Sequence, residues 1–358
     1  MLALLQELVR TNSVNPSLES GGPGEGSVAA IVEREFAGGR FVVRRLEATP
    51  GRPSVVVRLP GTGGGRSLMF NAHMDTVGVE GMAEPFAGRV EGGRLYGRGA
   101  YDMKGSLAAA IVAMQRMPRR KGDVYLAAVA DEEFLSLGTE EVLRHYRPDA
   151  AIVTEPTGLD LCVAHKGFAW FEWTVEGRAA HGSRPDLGVD ANLEALPVLE
   201  RLAALRAELA GRPAHPLLGP PSLHVAMVQG GTGWSTYAAG CTIRVERRLV
   251  PGETAAQAAA EMPAGGRLVF ARPFYETKPT GPLVELAQRA LPGARLTGQT
   301  PWFDSALYAE AGMETLVLGP AGGGAHAAEE WVDLASVEAA AAAYVQIATE
   351  FCQTEEQP

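Results

Sequence analysis

Along the first half of the chain, short apolar runs alternate with stretches whose apolar residues recur at helical spacing. The runs at 54–59, 67–71, 124–130, 151–154 and, much later, 315–318 read as strands. Helices are expected over 27–36, 104–117 and 139–145, and Leu2, Leu5, Leu8 and Val9 mark a short amphipathic one at the start. Such alternation predicts an α/β domain around a mainly parallel sheet. From about Gly167 the texture changes, because 168–176 alternates aromatic and polar residues like a half-exposed antiparallel strand. A helix near 190–209, strands near 223–229 and 241–249, a helix near 254–262 and a strand near 267–271 come next. That β-α-β-β-α-β order is the split motif of a ferredoxin-like α+β unit. The expected architecture is therefore one α/β domain built from 1–166 plus 274–358, with a small second domain inserted at 167–273.

Composition narrows the class. The chain has 358 residues, enough for two lobes, and its 46% hydrophobic and 21% charged content excludes a disordered chain or a fibre. A formal charge of −10 argues against nucleic acid or an anionic membrane as partner. Cys162, Cys241 and Cys352 lie far apart with no CxxC spacing, which suits a reducing cytoplasm and argues against a thiolate metal site or a disulfide framework. Glu7 and Arg10 come too early for a signal peptide, and no apolar run approaches the roughly 18 residues of a membrane span. The glycine run at 61–65 precedes a strand, whereas a dinucleotide-binding GxGxxG would come directly after one, so a nicotinamide-dependent dehydrogenase is disfavoured.

The informative residues are those just past each expected core strand. The 67–71 run leads into Ala72-His73-Met74-Asp75, the 124–130 run into Asp131-Glu132-Glu133, the 151–154 run into Glu155, and the 315–318 run into a glycine loop ending at His326. Asp102 sits in a glycine-rich turn just before the 104–117 helix. Ligands of open parallel sheets bind beyond the carboxyl ends of the strands. Carboxylates gathered there repel one another unless a cation holds them, and imidazole with carboxylate is the donor mixture for zinc, with cobalt or manganese as substitutes. His73, Asp102, Glu133, Glu155 and His326 suffice for two divalent ions if one carboxylate bridges, and two ions, three carboxylates and a hydroxide are together neutral. Asp75 is placed to orient His73, and Glu132 stays free beside Glu133, as a general base must. Taken singly, each piece has an ordinary reading: Asp102 as a helix cap, and acid pairs such as Glu140-Glu141 and Glu329-Glu330 as solvated surface. His145, His215 and His224 read as structural.

Taken together, AHMDTV, GRGAYDMKGSLAA, ADEE, TEP, HKG, GRAAHGSRP, ERRLVPGE and the late GGGAH resemble one family over nearly the whole chain. It is the co-catalytic zinc family of acetylornithine deacetylase, succinyl-diaminopimelate desuccinylase, aminoacylase and carboxypeptidase G. The resemblance implies a zinc-hydrolase catalytic domain with an inserted lid and dimerisation domain. It implies His73, Asp102 and Glu155 as ligands of one zinc and Asp102, Glu133 and His326 as ligands of the other, with Asp102 bridging. Asp75 is implied as the orienting acid, Glu132 as the base, His181 as a donor to the oxyanion (across a homodimer through 167–273), and Arg248 as the grip on a substrate carboxylate. Backbone N–H groups of Gly322, Gly323 and Gly324 are a further candidate carboxylate site. Gly78 stands where many members have proline, Glu246 where an aspartate is usual, and Ser235 at a position often asparagine.

The expected reaction is hydrolysis of an amide bond next to a free carboxylate, in an N-acyl amino acid or a short peptide, as part of cytoplasmic amino-acid metabolism. A deacylase is favoured over a carboxypeptidase or dipeptidase, which would share every ligand. A non-catalytic metal-binding protein on the same scaffold would be expected to lack Glu132 or a ligand, and none is missing.

Overall fold

The computed structural model describes residues 1–353, which divide into two compact units. Met1–Val163, Thr277–Thr297 and the chain from Phe303 onward form the first; Ala164–Glu276 and Gly298–Trp302 form the second. The divisions differ from 166/167 and 273/274 by a few residues, and Gly298–Trp302 departs from its expected place in the α/β domain. It groups with the second unit because Trp302 donates through its indole N–H to the Pro273 carbonyl at 3.0 Å and stands edge-on to Phe168.

In the first unit, Leu68–His73, Val124–Val129, Ala150–Val153 and Glu314–Val317 form a parallel set. Apart from Tyr125 and Glu314, every residue in these strands is buried, as expected for strands covered on both faces. The register sets His73 level with Val129 and Asn71 level with Val153, so all four strands end along one edge. The sheet is not wholly parallel. Ser54–Leu59 runs antiparallel to Val124–Val129, with Val42–Leu46 antiparallel outside it, and Leu161–His165 meets the opposite side antiparallel at Val317. Gly105–Arg116 is buried from Gly105 to Met114, and its alanines admit the close packing of Leu334–Phe351, whose Asp333 caps the Ser336 N–H at 2.7 Å.

A second, small antiparallel sheet of this unit is not visible in the sequence. It orders Gly322–Gly323, Trp331–Asp333, Arg94–Tyr96 and Arg89–Glu91 side by side. It matters because the segment carrying Asp102 leaves from one of its strands, and the loop carrying His326 joins two of them.

The second unit is a four-stranded antiparallel sheet, in the spatial order Ser222–Gly230, Gly240–Leu249, Gly167–Glu176, Arg267–Arg272. Phe171, Trp173, Ile243 and Val245 pack against Leu202, Leu205 and Leu209 of the helix Leu196–Ala210. The helix expected over 190–209 is broken into Ala191–Glu194 and Leu196–Ala210, because Pro197 sits in the first turn of the second piece, where its missing N–H costs nothing. No helix of the described residues is long and apolar enough to cross a membrane.

Candidate active site

The parallel strand ends deliver their polar residues to one place. His73 terminates its strand and is 1% exposed. Its Nε2 lies 3.0 Å from Asp102 Oδ1 and 3.7 Å from Glu155 Oε1. His326 Nε2 lies 3.1 Å from Glu133 Oε2 and 3.4 Å from Asp102 Oδ2. Asp102 therefore faces one imidazole with each oxygen. Donor atoms of His73, Asp102 and Glu133 lie within 4.8 Å of one another, and so do those of His73, Glu132 and Glu155.

The electrostatics of this cluster call for a cation. Burial and the Glu155 carboxylate push Glu132 well above the usual carboxylate range; burial and Asp102 do the same to Glu155 and raise Glu133. His326 is pushed up to about 10 by its bonds to Asp102 and Glu133, and His73 also rises, although burial alone would lower it, because Asp102 and Asp75 flank it. Asp102 falls well below its usual range against the cost of burial, held by the bonds from His326 and His73. Among the described residues no arginine or lysine pairs with these four acids, and the buried Glu133 Oε1 has no hydrogen-bond partner. An orphaned buried carboxylate oxygen among imidazoles and acids fits a hard or borderline divalent ion held by oxygen and nitrogen.

Asp75 departs from the expected arrangement. The nearest acceptor to His73 Nδ1 is the Asp75 backbone carbonyl at 2.9 Å, with the carboxylate Oδ1 at 3.6 Å. The carboxylate instead receives the N–H groups of Glu132 and Glu133, each at 3.2 Å, and the Asn15 amide at 2.8 Å. Buried, yet held by His73 and these donors, it stays low.

Gly322 and Gly323 form a strand paired with Val332 and Trp331, so they belong to a ladder and not to a free loop, and the Tyr101 ring leaves no room for a Cβ at Gly322. His181 and Arg248 belong to the second unit. His181 is exposed and bonds Ser183 Oγ at 2.8 Å, while Gly182 donates to the Ser235 carbonyl. Arg248 donates to Glu246 at 2.7 Å, lies over the Phe168 ring, and keeps a buried Nη1 without a partner.

Sequence reading misses Glu330, which it takes for a solvated acid. It is 1% exposed. One oxygen accepts the Tyr101 and Asp102 N–H groups at 2.9 and 3.0 Å, and the other accepts Arg98 at 2.7 Å and the Gly99 N–H at 3.0 Å. It thereby shapes the turn that presents Asp102. Glu141 is likewise buried, bound to the Ala48 N–H.

This geometry agrees with what the chain is similar to. The model of peptidase family M20/M25/M40 matches residues 69–350. Acetylornithine deacetylase of Salmonella typhimurium is 28% identical over 376 aligned positions, covering 98% of this chain and 97% of that one. An M20 family metallo-carboxypeptidase from Sulfolobus solfataricus shares the fold with a TM-score of 0.79 at 18% identity, covering 98% of both chains. A dinuclear metal-binding M20 peptidase from Bacillus subtilis does so with a TM-score of 0.65 at 18% identity, over 99% of this chain and 98% of that one. The chain belongs to peptidase family M20/M25/M40, and with it to the metal-dependent hydrolases of amide bonds.

Proposed function

We propose that the protein is a di-zinc deacylase of N-acyl amino acids, cytoplasmic and homodimeric through residues 167–273. The observation that carries the deacylase over the peptidase reading is the relation to an acetylornithine deacetylase along nearly the full length. Two ions are supported by the donor set itself, which exceeds what one four-coordinate ion uses and contains one carboxylate flanked by two imidazoles.

His73, Asp102 and Glu155 would hold one ion, and Asp102, Glu133 and His326 the other. When bound, such a pair polarises the substrate carbonyl and lowers the pKa of a shared water, with zinc preferred and cobalt or manganese able to replace it. Glu132 is not counted among the ligands. Its carboxylate accepts a proton from the attacking water and delivers it to the departing amine nitrogen, so that one group serves as base and then as acid. Asp75 fixes the backbone on either side of that carboxylate. His181 is assigned as donor to the developing oxyanion, and Arg248 as the anchor for the substrate carboxylate.

The test is zinc-loaded protein against a panel of N-acetyl, N-succinyl and N-formyl amino acids and dipeptides, beside a chelated control. Turnover confined to dipeptides would replace this reading by a dipeptidase, and no turnover with metal bound would replace it by a binding protein. Glu132→Gln should keep both ions and lose about 10²–10⁴-fold in kcat, the usual contribution of a positioned proton-transfer group. Undiminished kcat in that variant would remove Glu132 as the base.

A further inference from the structure

Behind the turn that carries Glu132 and Glu133 lies a buried polar network that the assignments above do not use. Arg52 is 8% exposed, and Asn15, Glu25 and Asp131 are fully buried. The guanidinium grips Glu25 through two bonds, Nη2 to Oε1 at 2.7 Å and Nε to Oε2 at 2.9 Å. The same Nη2 reaches Asp131 Oδ1 at 2.8 Å and Asn15 Oδ1 at 3.1 Å. Asn15 in turn donates through Nδ2 to Asp131 Oδ1 at 3.0 Å and to Asp75 Oδ2 at 2.8 Å. Both ends of its amide are thus committed.

Asp131 has a left-handed backbone, φ +66°, which costs a residue with a Cβ roughly 1–2 kcal/mol. That conformation persists only where the surroundings over-determine it. Here Glu25 accepts the Asp131 N–H at 3.2 Å, and the Asp131 carbonyl accepts the N–H groups of Phe134, Leu135 and Ser136. The bend turns the next two N–H groups onto Asp75 and so decides where the Glu132 side chain starts. Three buried carboxylates (Glu25, Asp131 and Asp75) converge on this bend, and among the described residues Arg52 is the one arginine or lysine bonded to any of them.

We propose that Arg52 is a positioning residue for the reaction: it holds the 131–133 turn in shape and thereby sets the place of the Glu132 carboxylate. The proposal rests on the reading of Glu132 as the base. Misplacing a catalytic group by about 1 Å costs on the order of a hundredfold in rate.

Arg52→Met and Arg52→Lys are compared in the wild-type and Glu132→Gln backgrounds, using zinc-loaded protein, the best substrate of the panel, and hydrogen exchange read by mass spectrometry. Arg52→Met should lower kcat on the order of 10–100-fold with KM within about threefold, and Arg52→Lys, which keeps the charge but not the fork, should recover part of that loss. In the Glu132→Gln background Arg52→Met should change the residual rate by less than about twofold, because the two residues act as one unit. Exchange over 131–136 should quicken about tenfold or more while the strand Val124–Val129 stays protected. Multiplicative rate losses, a KM effect at constant kcat, or equal loosening of both segments would overturn the proposal and leave Arg52 an ordinary structural ion-pair partner. If no panel compound is turned over, the functional reading fails on its own, while the exchange comparison, readable on the milder Arg52→Lys as well, still decides what Arg52 does.

Discussion

Replacing Glu330 by glutamine tests how much of the site depends on one buried carboxylate. The amide is nearly isosteric but offers a single acceptor oxygen. Whichever way it turns, its NH₂ faces two donors: the Tyr101 and Asp102 N–H groups, or Arg98 with the Gly99 N–H. Two bonds to a charged acceptor are lost in a place water does not reach, at about 1.5–3 kcal/mol each, so the expected destabilisation is about 3–6 kcal/mol. That range brackets the cost of about 3–5 kcal/mol for breaking a buried ion pair, here Arg98–Glu330. The measurement is urea unfolding tracked by circular dichroism, with chelator present so that metal binding does not mask the difference. The neighbouring Glu329→Gln is the control; that side chain is exposed, and the change should stay within about 0.5 kcal/mol. A loss below about 1 kcal/mol for Glu330→Gln would refute the claim that this carboxylate shapes the Asp102 turn.

Chelation should abolish turnover and lower thermal stability, with each ion restored at a hundred times its Kd returning about 2.7 kcal/mol; a melting temperature indifferent to zinc would contradict the assigned ligands. Gly78→Ala places a Cβ against Glu19 Oε2, the end of an exposed, flexible side chain, so stability should change by no more than about 0.5 kcal/mol and kcat/KM by less than about twofold. Gly122→Ala drives a Cβ into the Arg66 carbonyl, a backbone group that cannot step aside, and should cost about 1–3 kcal/mol or more in the same urea assay.

How much of the molecule is legible in the sequence depends on how local each signal is. The strands ending at His73, Val129 and Val153 are readable because their burial on both faces writes unbroken apolar runs, and the acids after them stand out against that background. Leu161–His165 goes unseen because only Lys166 separates it from the next strand, and Val42–Leu46 because an exposed edge strand with Arg44 and Arg45 carries no apolar run. The antiparallel direction of Ser54–Leu59 is not legible, because apolar content says nothing of direction. Glu330 and Arg52 are invisible for a different reason. Their partners are distant in sequence, Asp102 for one and Glu25 and Asp131 for the other, and an acid pair or a lone arginine looks solvated until the chain closes around it. Spacing alone marks Asp75 as a residue of interest, but it does not reveal that the carboxylate serves the Glu132–Glu133 backbone.

The order of the chain has a consequence for biogenesis. Glu155 is translated before the second unit and His326 and Glu330 after it, so a growing polypeptide exposes its early acids long before their last imidazole and their arginine-paired clamp arrive. Under the proposed ligand assignment, metallation would be a late event in the life of the nascent protein, and a ribosome-stalled fragment ending before residue 326 would emerge without the His326 ligand.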